Sequence, residues 1–320
     1  MSNVAFLWIF SRGMELGVIV LCLLPLRAFF RKKVPRLFSY MLWAALPVNF
    51  VYRLAVRFIE LINRHVVDYV YQSPKILVDE KIVQVMRLCW CIGTLVVVIG
   101  MVRSYIILMR RLVGSIRLQK DVYVTDRIRL PFTLGMIHPK IYLPYSLKEE
   151  YYESVIMHER VHINRRDIWM KYLAIGIRNL FWFQPVLWFA YRMFVNDMEE
   201  ACDETVLRQK GPDFREEYAH SLLELSDQDE TIRDVAIGYG AGVIKSRIKN
   251  VMYYEVTEKH KCIVATIVCC LFVIISGLIS WQVPRIVQGE LPKEIYVEGD
   301  MSVTNRELRK TELVEEDEIK

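Results

Sequence analysis

The sequence predicts a mainly α-helical integral membrane protein with about four transmembrane helices and a cytoplasmic α+β domain. Two properties of its 320 residues favour this class: 53% are hydrophobic and 25% are charged. The first value is too high for an ordinary soluble enzyme, and the second is too high for a bare bundle of membrane helices. Only 14 glycines and 12% aromatic residues exclude a collagen-like or disordered chain.

Two segments predict spanning helices by their length and composition. Residues 262–284 include no charged side chain, and at about 1.5 Å per residue this helix crosses a hydrocarbon core of about 30 Å. Residues 82–102 form the second predicted span. Its part from 88 to 102 is free of charge, and Arg87 can extend its side chain to the membrane interface.

Two further apolar segments are less regular. Residues 4–26 are long enough to span but contain Arg12 and Glu15. Either these charges neutralise each other on one helix face, or the helix begins after them. Residues 37–52 are short and contain Pro47, so this segment either crosses as a kinked helix or re-enters the membrane. The N-terminus lacks the early basic region and cleavage site of a signal peptide, so we expect it to be retained.

The charges of the loops predict which side of the membrane each one occupies. The loops after the first and third spans are rich in Arg and Lys, whereas residues 285–320 contain ten acidic and six basic residues. Because basic loops remain in the cytoplasm, we expect the N-terminus and the tail outside and the intervening domain inside. The predicted organisation is an N-terminal membrane region of about three spans (1–115), a cytoplasmic domain (116–261), a final transmembrane helix (262–284) and a short acidic external tail (285–320).

His158, Glu159 and His162 form an H-E-x-x-H motif in a region predicted to be helical. Histidines four residues apart project from one face of a helix and can take adjacent corners of a zinc tetrahedron. The glutamate beside the first histidine can accept a proton from a zinc-bound water. The motif therefore predicts zinc-dependent hydrolysis, with two unrelated histidines on a solvated helix as the alternative.

Zinc requires a third protein ligand, and the following helix offers several carboxylates. This helix is predicted to begin at Pro185 and to end at Gly211. Glu199 and Asp203 are four residues apart, so one helix face can present a ligand and, one turn later, a carboxylate that orients a histidine. We expect Glu199 to bind zinc and Asp203 to orient an imidazole. A solvated acidic helix face is the alternative interpretation.

The rest of the cytoplasmic domain is predicted to contain a small strand layer and further helices. Residues 122–125 and 132–143 have the composition of strands. Ser146 and Glu149 have the S-x-x-E spacing of a capping box, which predicts that the zinc helix extends over 147–167. Further helices are expected over 213–225 and 241–254.

The remaining reactive side chains give weaker signals. His220 and Tyr218 follow the predicted zinc ligands along the chain and are candidate proton donors to the oxyanion of the transition state. Six of the seven cysteines lie in or beside predicted spans and Cys202 lies in the cytoplasmic domain, so we expect no disulfide framework. The net charge of +5 is spread over membrane-flanking residues, which does not favour nucleic-acid binding. Four histidines lack metal-site spacing and are expected at surface or packing positions: His65, His138, His220 and His260.

These motifs resemble the zinc metallopeptidase domain of the BlaR/MecR family of bacterial antirepressors and β-lactam sensors. The family pattern H-E-x-x-H-x-x-R-x-D falls on residues 158–167, with Arg165 and Asp167 at its last two defined positions. The N-P-x-x-W element falls on 184–188, where Gln replaces the usual Asn, and the E-x-x-C-D element falls on 199–203.

The resemblance covers about residues 1–283 and implies a gluzincin-type zinc metallopeptidase in a bacterial plasma membrane. It implies a cytoplasmic protein substrate, typically a DNA-binding transcriptional repressor. The archetypal sensor carries an external penicillin-binding domain, whereas residues 285–320 are too few to form one. A separate membrane partner is therefore expected to supply the signal, and no oligomeric state is indicated. The implied roles are zinc ligation by His158, His162 and Glu199, general base catalysis by Glu159, and orientation of the ligands by Asp203, Arg165 and Asp167.

Two other functions are compatible with these motifs. A membrane quality-control protease of the HtpX/Ste24 type uses the same H-E-x-x-H and a later glutamate, but the elements at 184–188 and 199–203 favour the BlaR/MecR type. A non-catalytic signalling scaffold would use the helices only to bind a partner. Retention of Glu159 disfavours a scaffold, since binding alone requires no general base.

Overall fold

The computed structural model describes residues 3–31, 34–62, 75–228, 239–254, 259–282 and 285–288. The helices are α1 (Asn3–Phe30), α2 (Arg36–Met41), α3 (Ala45–Ile62), α4 (Glu80–Leu112), α5 (Tyr152–Arg165), α6 (Asp167–Leu180), α7 (Pro185–Lys210), α8 (Arg215–Gln228), α9 (Tyr239–Met252) and α10 (Lys259–Gln282). The strands are β1 (Lys75–Val78), β2 (Ile116–Arg117), β3 (Val122–Thr125), β4 (Phe132–Leu134), β5 (Lys140–Pro144) and β6 (Arg285–Gln288). Single turns of 3-10 helix occur at Leu42–Ala44, Glu149–Tyr151 and Pro212–Phe214.

Two helices of the described chain are long and apolar enough to cross a membrane. They are Ala5–Phe30 within α1 and Glu80–Leu112, which is α4. Side chains along α4, such as Leu88 and Leu95, expose about 60% of their surface, as is expected of a helix whose solvent is hydrocarbon. The apolar helix Ile263–Gly277 within α10 is shorter. The described chain thus has two candidate membrane-spanning helices, and the four-span topology stays a prediction.

The charges inside α1 are neutralised in the way the first alternative predicted. Glu15 is fully buried and accepts hydrogen bonds from Arg12 on its own helix and from Arg53 Nε of α3, the latter at 3.1 Å. The other alternative, that the helix begins after these residues, is wrong because α1 begins at Asn3. A buried carboxylate is stable only when it is paired, so this cluster ties α3 to α1.

The segment expected to be kinked is helical with a local break. A single 3-10 turn at Leu42–Ala44 separates α2 from α3, and it places Pro47 in the first turn of α3, where proline needs no hydrogen bond from its nitrogen. Tyr40 and Trp43 beside the break are buried. The break lets α2 pack across α7, which positions Tyr40 close to the site described below.

The strand layer of the domain is a four-stranded mixed sheet in the order β2, β3, β5, β4. β3 and β5 are parallel, with Val122 opposite Ile141, and β4 and β5 are antiparallel, with Thr133 also opposite Ile141. The segment 132–143, expected to have strand composition, forms two strands, and Gly135, at φ +107°, turns the chain between β4 and β5. β4 lies at one edge of this sheet, with β2 at the other.

Several predicted helix limits are corrected. The capping box did not start the zinc helix at 147, because a 3-10 turn precedes it and α5 begins at Tyr152. α5 also ends at Arg165 rather than at Asp167, since Arg166 is left-handed at φ 58°. The helices expected over 213–225 and 241–254 are α8 and α9, shifted by about two residues.

Helix α7 joins the membrane-side helices to the domain that carries the H-E-x-x-H motif. Its first half packs in a large apolar cluster with α1, α3, α6 and α10, through residues such as Phe194 and Met198. Its second half packs against α5, α8 and α9, through Val206 and Leu207. The opposite side of α5 lies on the sheet, where Val155 contacts the apolar residues of β3 and β5. The two histidines of α5 therefore lie between the sheet and α7.

The beginning of the predicted external tail is also ordered. Strand β6 pairs in parallel with β1, which directly precedes the long apolar helix α4, and Lys75 lies opposite Arg285. The remaining tail residues lie outside the described ones.

Candidate metal centre

The two motif histidines face each other inside the domain. His158 and His162 lie one turn apart on α5, and their Nε2 atoms are 3.1 Å apart. Both residues are buried. The spacing expected from the sequence therefore places two imidazole nitrogens in one small volume.

The carboxylate of Glu199, on α7, lies beside both of these nitrogens and provides a third candidate ligand. Its Oε2 is 3.2 Å from His158 Nε2 and its Oε1 is 3.7 Å from His162 Nε2. A tetrahedral zinc with bonds of about 2.0–2.1 Å requires ligand atoms about 3.3–3.4 Å apart. The distances among these three side chains are thus close to those that a tetrahedral zinc ion would require.

Cys202 is a second candidate for the third position, and it was missed as a ligand in the sequence. Its sulfur lies with His158 and His162 in a group of donor atoms that are all within 4.8 Å of one another. The sequence feature that could have identified Cys202 as a candidate ligand is its place in the E-x-x-C-D element. Cys202 is fully buried, and its thiol donates to the carbonyl oxygen of His158 at 3.3 Å.

A cavity of about 620 Å³ distinguishes the two candidate ligands, because only one of them lines it among the described residues. Glu199 lines this cavity together with both histidines and Glu159, whereas Cys202 is not among the described residues of its wall. Catalytic zinc sites keep one position open to water or substrate. The cavity therefore favours Glu199 as the ligand of a catalytic metal.

Glu159, the expected general base, lines the same cavity as the two histidines. Its carboxylate is buried at the cavity wall, and its Oε2 accepts a hydrogen bond of 2.7 Å from the hydroxyl of Thr133. Thr133 lies at the centre of the edge strand β4, so the sheet orients the carboxylate. Thr133 could not be recognised from the sequence because no spacing pattern links it to the motif.

Asp167 orients His162 from the start of α6. Its Oδ2 accepts a hydrogen bond of 2.7 Å from His162 Nδ1, and Arg165 Nη2 lies 3.4 Å from the same oxygen. The left-handed Arg166 ends α5 and reverses the chain so that Asp167 faces back towards the histidine. Its Oδ1 accepts a hydrogen bond of 3.0 Å from the hydroxyl of Tyr40.

A longer chain of hydrogen bonds orients His158. Its Nδ1 lies 2.7 Å from the hydroxyl of Tyr218, and that hydroxyl donates to Asp203 Oδ1 at 2.7 Å. Arg247 of α9 donates twice to Asp203, both at 2.8 Å, and lies 3.3 Å from Glu199. Because the Tyr218 proton is used on Asp203, the hydroxyl accepts from Nδ1, and the Nε2 lone pair is left for a metal.

The surroundings of the site keep its carboxylates ionised and its tyrosine protonated. Burial raises the pKa of Asp203 and of Glu199, but the guanidinium of Arg247 and the histidines outweigh burial and hold both below their usual range. Burial raises the pKa of Tyr218, and the carboxylate of Asp203 raises it further, so its hydroxyl stays protonated. Ionised carboxylates beside the two imidazoles suit a site for a cation.

The two candidate proton donors occupy different places. His220 is exposed on α8 and is not among the described residues of the cavity wall. Tyr218 reaches the wall, but its hydroxyl is engaged with His158 and Asp203. The position of Tyr218 therefore favours an orienting role over proton donation.

Comparisons with known proteins agree with these motifs. A family model described as BlaR1 peptidase M56 matches residues 9–251. The methicillin resistance mecR1 proteins of Staphylococcus aureus and Staphylococcus epidermidis are each 30% identical over 164 residues, which is 48% of this chain and 28% of theirs. The regulatory protein BlaR1 of Bacillus licheniformis is 28% identical over 102 residues, 31% of this chain and 17% of its own. The match thus spans less than a third of these relatives.

Proposed function

The chain belongs to the BlaR1-type M56 peptidase family, and on that premise we propose that it is a membrane-anchored zinc endopeptidase of the gluzincin type. One observation carries the proposal: His158, His162 and Glu199 converge at zinc-ligand spacing on a cavity that also exposes Glu159. A zinc ion held there would polarise a peptide carbonyl and lower the pKa of a water.

Glu159 is the proposed general base. Thr133 donates to its Oε2, which leaves Oε1 to take the proton of the attacking water and to pass it to the leaving amine. Glu159 is buried and forms no ion pair with another described residue, and a carboxylate buried in this way costs stability. A purely structural scaffold gains nothing from it, which is why we favour an enzyme over a scaffold.

The edge strand β4 is the proposed docking surface for the substrate. Phe132 and Thr133 of this strand line the cavity, and β5 occupies only one of its two hydrogen-bonding edges in the described sheet. An extended peptide can pair with the other edge by strand addition. This arrangement would hold a peptide bond beside Glu159 in an extended conformation.

The proposed substrate is a cytoplasmic protein, such as a DNA-binding repressor. Arg27 in the last turn of α1, and Arg31 and Arg36 after it, form a basic region that contacts the acidic residues of α7. These contacts support a metal centre on the same side of the membrane as this basic region, for which the positive-inside rule favours the cytoplasm. The word "regulatory" in the name of the Bacillus licheniformis relative favours signalling over quality control.

The experiment compares cells that express the wild-type protein with cells that express Glu159→Gln, by mass spectrometry of new protein N-termini. We expect a cytoplasmic protein to be cut only by the wild type. Glu153→Gln, on the exposed side of α5, is the matched control and should behave as the wild type. Identical N-termini in all three strains would reject the proteolytic function.

The orientation is tested separately. A reporter that works only in the cytoplasm, inserted at Gly211, should be active. Activity only of a reporter that requires export would place the metal centre outside and would exclude a cytoplasmic substrate.

A further inference from the structure

Tyr40 reaches the metal centre from the membrane-side helix α2. It lies 127 residues before Asp167, yet its hydroxyl donates to Asp167 Oδ1 at 3.0 Å while Oδ2 of the same carboxylate binds His162 Nδ1 at 2.7 Å. We propose that Tyr40 is a positioning residue for the metal ligand His162, acting through Asp167. The inference rests on the proposed function in one respect, that His162 binds a metal.

The surroundings of Tyr40 leave its hydroxyl little freedom. The residue is 8% exposed, its ring packs on that of Phe194 at 5.7 Å between centroids, and the guanidinium of Arg165 lies 4.9 Å above it. The ring thus has neighbours on α5 and on α7. Because it is held at these positions, the hydroxyl can fix the plane of the Asp167 carboxylate.

The plane of that carboxylate decides the orientation of the imidazole. Torsions about the bond to a carboxylate are broad, and the contacts from His162 and Arg165 both fall on Oδ2, so they leave the direction of Oδ1 unfixed. The second bond, from Tyr40, prevents rotation and satisfies an oxygen in a residue that is only 2% exposed. Without the Tyr40 hydroxyl, Oδ1 of Asp167 is buried and lacks this donor. The cost of that lost hydrogen bond favours rotation of the carboxylate.

The same membrane-side segment also holds the helix of the third ligand. Trp43, three residues after Tyr40, donates from Nε1 to Asp197 Oδ2 of α7 at 2.7 Å. The segment from 36 to 46 therefore contacts α6, whose Asp167 orients His162, and α7, which carries Glu199. A displacement of α2 relative to α6 would break the Tyr40 contact and alter the orientation of His162.

The test uses the full chain in detergent with Co²⁺ as a spectroscopic substitute for zinc. Loss of an outer hydrogen-bond partner weakens metal binding by about 10- to 100-fold, and we expect Tyr40→Phe, which is one contact further away, to weaken Co²⁺ binding by about tenfold. Its visible absorption bands should also shift, because the ligand field changes when an imidazole tilts. Affinity is measured by competition with a chelator.

Ser39→Ala is the matched control. It removes a buried hydroxyl of α2, next to Tyr40, that has no hydrogen-bond partner among the described residues, so affinity and spectrum should equal those of the wild type. In a double-mutant cycle, Tyr40→Phe should add nothing to Asp167→Asn, because both act through one carboxylate. Thermal unfolding of the metal-free proteins shows whether Tyr40→Phe has remained folded.

The outcomes separate this inference from the function on which it rests. If wild type binds Co²⁺ and His158→Ala does not, the ligand set stands, and an unchanged affinity and spectrum in Tyr40→Phe would overturn the role of Tyr40 alone. Additive losses in the double-mutant cycle would also overturn it. If His158→Ala binds Co²⁺ as the wild type does, the ligand set is wrong and both proposals fall.

Discussion

Arg27 and Asp197 form a two-bond ion pair that joins the end of the first membrane helix to the helix of the proposed third metal ligand. Nε donates to Oδ2 at 2.5 Å and Nη2 donates to Oδ1 at 2.6 Å. Both residues are buried, and Asp197 lies two residues before Glu199. Trp43 adds a third hydrogen bond to the same carboxylate. The position of Glu199 therefore depends on the membrane-side helices.

Arg27→Met is expected to lower the free energy of unfolding by about 3–5 kcal/mol. Removal of one partner of a buried ion pair leaves the other charge without compensation. Denaturant unfolding in detergent measures the loss. The double variant Arg27→Met/Asp197→Leu should recover much of it, since it removes both charges. Wild-type stability of the single variant would show that the pair does not anchor α7.

Gly93→Val should destabilise the contact between α4 and the turn before α7. A β-carbon at Gly93 would lie 2.0 Å from Cζ2 of Trp182, so the indole would have to move. Overpacking of this kind costs about 1–3 kcal/mol. The matched control is Gly100→Val on the same helix, where a β-carbon meets no atom within 4 Å. Equal stability of the two variants would contradict the close approach.

Asp203→Ala should weaken metal binding by about 10- to 100-fold, as loss of an orienting carboxylate does. The reason is that Tyr218 loses the acceptor that fixes the direction of its hydroxyl towards His158. Thr205→Ala is a control on the same helix, because among the described residues its hydroxyl donates to the carbonyl of Ala201, one turn back on that helix. Chelator competition measures both variants, and equal affinities would reduce Asp203 to a structural residue.

Glu204 should make stability depend on pH. Burial raises its pKa above 4.5 in the folded protein, although the backbone N–H of Arg36 and its charge oppose the shift. The folded state then binds the proton more tightly than the unfolded state, so this contribution is complete below pH 4.5 and is lost as pH rises through the raised pKa. Glu204→Gln should therefore gain stability relative to the wild type as pH rises. A constant difference from pH 4 to 8 would contradict the shift.

The sequence was sufficient for those parts of the site that lie within one helix. The i, i+4 spacing of His158 and His162, and that of Glu199 and Asp203, predicts which side chains share a face, and the structure brings both pairs together. The sequence could not predict the roles of Tyr40, Thr133 and Arg247. Each is a single residue on a distant element, and no spacing pattern connects it to the motifs.

Both ends of the zinc helix were predicted incorrectly, for physical reasons that the sequence pattern does not show. The capping box was followed by a 3-10 turn, which delayed α5 until Tyr152. The end of α5 depends on a left-handed Arg166, a conformation that sequence patterns assign to glycine or asparagine. The basic residues at and after the end of α1 indicate topology in the sequence, and the structure shows that Arg27 and Arg31 also pair with Asp197 and Glu200.

X-ray absorption at the zinc edge of the purified full-length protein tests the central claim most directly, because it reports the atoms bound to the metal. If His158, His162 and Glu199 hold one zinc per chain, the first shell contains only nitrogen and oxygen at about 2.0–2.2 Å. Participation of Cys202 would instead add sulfur at about 2.3 Å. A sulfur shell that disappears in Cys202→Ala would contradict the ligand set and the open catalytic position inferred from it.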